Sequence, residues 1–210
     1  MNIKLTAKNQ IKIENADDIY GVMQRILLRE QKTDRGREHF WTISLDNAHK
    51  ILNIELVSMG SFRATIVEPM EVFSIPLQKR AVKLVLVHNH PSGRLTPSTA
   101  DKDITDHMIQ VGRIMNVPVL DHLIITENSY YSFVNTGLLE ELEKSTKYVP
   151  AYVLKQRYEK ELEEKISTKA ENNKAKEMAK IMKKEGYPIS EIEKLTGLTK
   201  AVINRLKIEK

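Results

Sequence analysis

The sequence predicts an α/β protein: a mixed β-sheet flanked by helices, followed by an all-helical C-terminal extension. Three observations carry this. Short β-branched, apolar runs such as residues 81–87 alternate with segments whose apolar positions recur at helical spacing. The chain changes character near Thr136 and from Leu138 is almost wholly helical and highly charged. Residues 150–210 hold 15 Lys+Arg against 10 Asp+Glu, whereas residues 1–149 hold 18 of each, so the tail carries all of the excess positive charge. The organisation expected is an α/β domain over residues 1–136, a charged helical linker over 137–172 and a helix-turn-helix-like segment over 173–210.

The elements can be taken in order. Ile3, Leu5, Ile11 and Ile13 suggest two short strands around Lys8-Asn9-Gln10, the first suited to a sheet edge. Asn15 to Asp18 cap a helix whose apolar positions Ile19, Val22, Met23, Ile26 and Leu27 share one face. Residues 31–37 read as a polar loop. Residues 40–45 and 50–60 form a hairpin through Asp46-Asn47, and residues 65–76 hold a helix candidate with Pro69 near its start. The run 81–87 is a buried strand. Ser98 opens a helix continued by Ile104, His107, Met108, Val111 and Met115. Residues 123–126 and 130–133 are strands joined by a turn at Asn128-Ser129. Trp41 belongs to the core, and His39 and His49 to the surface.

Composition excludes several classes. With no cysteine there is neither a disulfide framework nor a thiol nucleophile. The sequence shows no Gly-x-Ser-x-Gly element and no phosphate-binding glycine loop. It also shows no signal-like N-terminal stretch and no apolar run approaching a membrane span. A cytoplasmic protein without a membrane partner is the expectation.

The most informative stretch is His88-Asn89-His90-Pro91-Ser92-Gly93, followed by Ser98 and Asp101. Residues i and i+2 of a strand point the same way, so His88 and His90 project to one side where the chain leaves the sheet. Pro91-Ser92-Gly93 breaks the strand. A helix opening at Ser98 puts Asp101 in its first turn, facing back. Two nitrogens and one oxygen can close on a zinc ion whose fourth position is left to water. Ser98 with Asp101 three residues later also resembles a capping box, which needs no metal. Asp121-His122 reads as a hydrogen-bonded structural pair rather than a second metal site, and His107 as facing the core or supporting a ligand.

The spacing His-x-His, seven residues, Ser, two residues, Asp resembles the JAMM motif of the JAB/MPN metallopeptidase domain. The extended form His-Asn-His-Pro-Ser-Gly-x-x-x-Pro-Ser-x-x-Asp is similar to the RadC subgroup. Glu38-His39-Phe40-Trp41, Glu71-Val72-Phe73 and Pro118-Val119-Leu120-Asp121-His122 add to the match, which covers roughly residues 20–136. RadC-type proteins usually carry a preceding helix-hairpin-helix segment, so a short form lacking it is expected. The resemblance implies a cytidine-deaminase-like fold and one Zn2+ per chain on His88, His90 and Asp101. It implies that Ser98 stabilises a tetrahedral intermediate and that an upstream glutamate is the general acid/base. Glu38 is placed in that role, with Glu55, Glu68 and Glu71 as rivals. Zinc lowers the pKa of its water from about 15.7 to about 7 and polarises a carbonyl. Hydrolysis of an amide or isopeptide bond in a peptide or protein substrate, without a covalent intermediate, would follow.

The tail reads differently. Residues 155–169 alternate in charge and suit an exposed helical spacer. Residues 192–206 resemble a helix-turn-helix. Gly197 would take the turn, Leu198 would plug the core and Thr199 would cap the second helix. Ile192, Leu195, Val202, Ile203 and Leu206 would supply the apolar contacts. Lys200, Asn204 and Arg205 would face outward, as phosphate and base-edge contacts require. Glu193 stands where such motifs often have a small apolar residue. DNA is therefore a candidate partner through residues 173–210, and the metal domain of such a DNA-associated protein would be structural or regulatory. The competing reading is a small helical hairpin for self-association or protein contact. A net charge of +5 predicts weak non-specific binding.

Overall fold

A computed structural model describes residues 11–60 and 67–207, with the backbone of Asn2–Ile3. It divides into two compact units, Met1–Val149 and Pro150–Lys210. In the first, β1 (Asn2–Ile3), α1 (Ala16–Arg29), α2 (Lys32–Arg35), β2 (His39–Leu45), β3 (Ile51–Met59) and α3 (Pro69–Gln78) precede the His-x-His segment. Then come β4 (Lys83–Asn89), α4 (Thr99–Met115), β5 (Val119–Ile125), β6 (Tyr130–Ser132) and α5 (Leu138–Glu143). The strands form one sheet in the order β1-β3-β2-β4-β5-β6. Among the described strands only β4 and β5 run parallel, joined by the crossover helix α4, so the sheet is mixed.

The central strands are buried on both faces, and their side chains sort with period two. Trp41, Ile43, Leu45, Val85, Val87, Leu123 and Ile125 pack with Ile19, Met23, Ile26 and Leu27 of α1. Phe40, Leu84, Leu86 and Ile124 pack with Phe73 of α3 and with Met108 and Ile109 of α4. α1 therefore covers one face and α3 with α4 the other. Helix α1 begins at a capping box in which Asn15 accepts from the Asp18 N–H and Asp18 accepts from the Asn15 N–H.

Several expectations are corrected. Residues 11–13 make only a bridge between Lys12 and Lys50 rather than a strand. The polar loop 31–37 contains the helical turn α2. Strand β5 starts at Val119, so Asp121 and His122 lie inside it. His39 is fully buried: its ring stacks on Trp41 and its Nδ1 bonds the Arg37 carbonyl. His49 is half-buried, with its Nε2 against Lys83 Nζ. The first unit continues past 136 to Val149, because Leu138, Leu139 and Val149 are buried; the charge pattern changes before the packing ends. Leu5, Lys8-Asn9-Gln10 and Thr65 lie outside the described residues.

The second unit holds α6 (Ala151–Lys184), α7 (Ile189–Thr196) and α8 (Lys200–Arg205). Nearly every residue of 151–174 is exposed, and the pairs Lys155–Glu159 and Glu161–Lys165 stand one turn apart along it. The 137–172 stretch is thus not one linker: α5 belongs to the first unit, and α6 runs unbroken into the second unit's core. Ala179, Met182, Ile192 and Ile203 form that core, with Ile189, Leu198 and Leu206 packed against it. Gly197 ends α7 in the left-handed conformation at φ 68°. Leu195 is 61% exposed and makes no core contact, contrary to the helix-turn-helix reading, and Val202 is half-buried. Thr199 occupies the cap position without a side-chain cap bond. Glu193 Oε1 accepts the Lys200 N–H instead, which gives the unexpected glutamate a local purpose. Lys200, Asn204 and Arg205 are exposed.

Candidate metal centre

The site is built where β4 ends and α4 begins. His88 is the last residue but one of β4, and His90 follows the strand. Ser98 caps α4: its Oγ accepts the Asp101 N–H at 3.1 Å, and the Asp101 carboxylate accepts the Ser98 N–H at 2.7 Å. The capping box and the proposed ligand set are therefore compatible. One Asp101 oxygen accepts the cap bond and lies 3.4 Å from His90 Nε2; the other lies 3.2 Å from His88 Nε2. The two Nε2 atoms are 3.0 Å apart. Ligand atoms of His88, His90 and Asp101 all fall within 4.8 Å of one another, so this triad can hold a metal ion.

Two fixed imidazoles and a carboxylate suit such an ion. His90 Nδ1 lies 2.7 Å from the Arg94 carbonyl, which can only accept, so Nδ1 carries the proton and Nε2 offers its lone pair. Burial works against ionisation of Asp101, but the imidazoles of His88 and His90 beside it outweigh burial and hold the carboxyl far below the usual range. The neighbouring Asp101 carboxylate outweighs burial at His90 and pushes its pKa up.

Register brings Glu38 to the same place. Phe40 pairs with His88 across the antiparallel β2–β4 ladder, so Glu38, two residues earlier, falls level with His90. It is half-buried and lines a cleft of about 570 Å³ with His88, His90, Ser98 and Asp101. Ile104, His107, Tyr148 and Arg94 form other parts of its wall. Glu55 on β3, Glu68 at the α3 cap and Glu71 within α3 are not among the lining residues. His107 stacks on Tyr148 at 4.3 Å in the wall of this cleft.

A family model described as the RadC-like JAB domain matches residues 13–138. The chain belongs to this family. A UPF0758 protein of Flavobacterium johnsoniae is 42% identical over 127 residues, which is 60% of this chain and 53% of that protein. One from Methanosarcina barkeri is 39% identical over 128 residues, covering 61% of this chain and 54% of the relative. One from Chlorobium chlorochromatii is 34% identical over 134 residues, covering 63% and 58% respectively. The chain thus spans about half the length of the curated relatives it matches.

The links that three polar residues of this RadC-like domain make to the site were not read from the sequence, although His122 was expected in a structural pair with Asp121. Asn89, the middle residue of His-x-His, is buried; its Oδ1 accepts the His39 N–H at 2.7 Å and its Nδ2 donates to the Arg37 carbonyl at 2.9 Å. It thereby grips the main chain on both sides of Glu38. His122 Nε2 lies 2.8 Å from His88 Nδ1, and His122 Nδ1 lies 2.6 Å from Thr105 Oγ1. Thr105 donates to the Asp101 carbonyl. Complete burial pushes the His122 pKa well below its usual value. Asp121 is the structural partner expected: it accepts from the His122 N–H, Ser132 Oγ and the Val134 N–H. Thr105 had one available signal, since it stands one helical turn beyond Asp101 on the same face. No helix among the described residues is long and apolar enough to cross a membrane.

Proposed function

We propose that this RadC-like JAB domain is a zinc-dependent metallopeptidase (a JAMM-type hydrolase) that cleaves an amide or isopeptide bond in a peptide or protein. The observation that carries the reading is the convergence of His88, His90 and Asp101 in a cleft also lined by Glu38 and Ser98. Two imidazole nitrogens and one carboxylate oxygen suit a single zinc with a position left open. Zinc held there would supply an activated water and polarise a carbonyl. Glu38 takes a proton from the attacking water and returns it to the leaving nitrogen. Ser98 uses its oxygen to accept the helix-cap bond, which leaves its hydroxyl proton to donate toward an oxyanion in the cleft. Val67 and Ile104 offer an apolar wall for substrate side chains. Zero cysteine suits a cytoplasmic setting.

The test is a peptide and isopeptide library presented to the zinc-loaded chain. Cleavage that stops on chelation and returns with zinc is the expected result. A zinc-loaded protein that cleaves nothing in either library contradicts the reading.

A second reading is favoured by the exposed Lys200, Asn204 and Arg205 on the last helix of a compact three-helix unit. In it the tail binds DNA and the metal domain is structural or regulatory. Salt-dependent retention of the full chain on duplex DNA, weakened by Lys200→Glu with Arg205→Glu, is then expected. Equal behaviour of parent and variant at low salt overturns it.

A further inference from the structure

His88 is tied to Asp101 by a second route, behind the ligand atoms. We infer that Thr105 and His122 are positioning residues: their hydrogen-bond chain sets the His88 tautomer so that Nε2 presents a lone pair to the metal. The inference rests on the zinc reading above for its purpose, though its geometry stands by itself.

The direction of the chain follows from its ends. The Asp101 carbonyl can only accept, so the Thr105 hydroxyl directs its single proton there. Thr105 Oγ1 then has only lone pairs for His122, and His122 Nδ1 must donate across the 2.6 Å contact. His122 is fully buried, with its ring beside Phe40 and Phe133, and carries that one ring proton. Its Nε2 is therefore an acceptor. His88 Nδ1 must donate to it across 2.8 Å, which leaves His88 Nε2 without a proton and facing His90 and Asp101. A free imidazole prefers the opposite arrangement, with its proton on Nε2. The chain thus works against the default at the atom that matters.

Three elements are joined in the process: His88 from β4, His122 from β5 and Thr105 from α4. The last bond lands on the main chain of Asp101 itself. Any shift of α4 along the sheet would disturb both the carboxylate ligand and the tautomer of His88. His90 reaches the same tautomer by a separate route, through the Arg94 carbonyl. Groups that orient a metal-bound imidazole in this way typically contribute about 10–100-fold to metal affinity.

The test compares Thr105→Val, which keeps the volume and loses the hydroxyl, with Thr105→Ser, which keeps the hydroxyl. Zinc affinity is read by chelator competition on the full chain, and tautomers by NMR of the imidazole nitrogens in the metal-free chain. Thr105→Val is expected to bind zinc about 10–100-fold more weakly and to move the His122 and His88 ring-nitrogen signals away from the Nδ1–H form. Thr105→Ser is expected to recover most of both. A Thr105→Val chain with the parent's zinc affinity and unchanged ring-nitrogen signals overturns the inference. Should the parent bind no zinc, the zinc reading fails, and the spectra of the metal-free chain still decide whether the relay sets the tautomer.

Discussion

Glu38→Gln is expected to retain zinc and to lose hydrolysis by about two to four orders of magnitude. Glutamine keeps the volume and much of the hydrogen bonding of glutamate, so the strand end should not move. Asn89 holds that end from the main chain on either side of residue 38, independently of its side chain. What is lost is the carboxylate that carries the proton between water and leaving nitrogen. The measurement is the rate on a peptide that the parent cleaves, beside the metal content of both proteins. Full activity in Glu38→Gln would transfer the role to another glutamate. Glu55, Glu68 and Glu71 would then need a conformational change to reach a cleft they do not line.

Asp101→Asn should separate metal binding from folding. Asparagine can rebuild the cap, since its side-chain oxygen accepts the Ser98 N–H as Asp101 does at 2.7 Å. The loss of negative charge in the first turn of α4 costs about 0.3–1 kcal/mol. Zinc affinity should fall by more than the roughly 10–100-fold attached to groups that only support a ligand. Thermal unfolding reads both effects. At a zinc concentration about a hundredfold above its Kd, the parent gains about 2.7 kcal/mol. Asp101→Asn should unfold nearly as the metal-free parent does, with or without zinc. A zinc-dependent rise in Tm equal to the parent's would remove Asp101 from the ligand set.

Much of this was legible because it is local. The near-continuous apolar run of residues 81–87 marks a strand buried on both faces, and His88 and His90 follow from it by parity. Ser98 and Asp101 announce a helix start at their own spacing, whether or not a metal is present. What stayed hidden depends on strand pairing. His39 looked like a surface residue beside a polar loop, yet β2 is flanked by β3 and β4, and its ring is covered by Trp41. The tie from Asn89 to the Glu38 segment needs the β2–β4 register. The contact between His122 and His88 needs the parallel β4–β5 pairing that α4 makes possible. In the tail, Leu195 satisfied the helical pattern but is exposed, while the small core is formed by Ala179 and Met182 of α6 with Ile192 and Ile203. Apolar periodicity names a face; it does not say how much of that face a short helix can bury.

The central claim is that His88, His90 and Asp101 hold one zinc ion, and elemental analysis of the purified full chain tests it most directly. The parent is expected to carry close to one zinc per chain, and the His88→Ala/His90→Ala double variant to carry none. An absence of metal in both proteins, even after zinc is supplied, would contradict the account. The triad would then be a capped strand-turn-helix and no more.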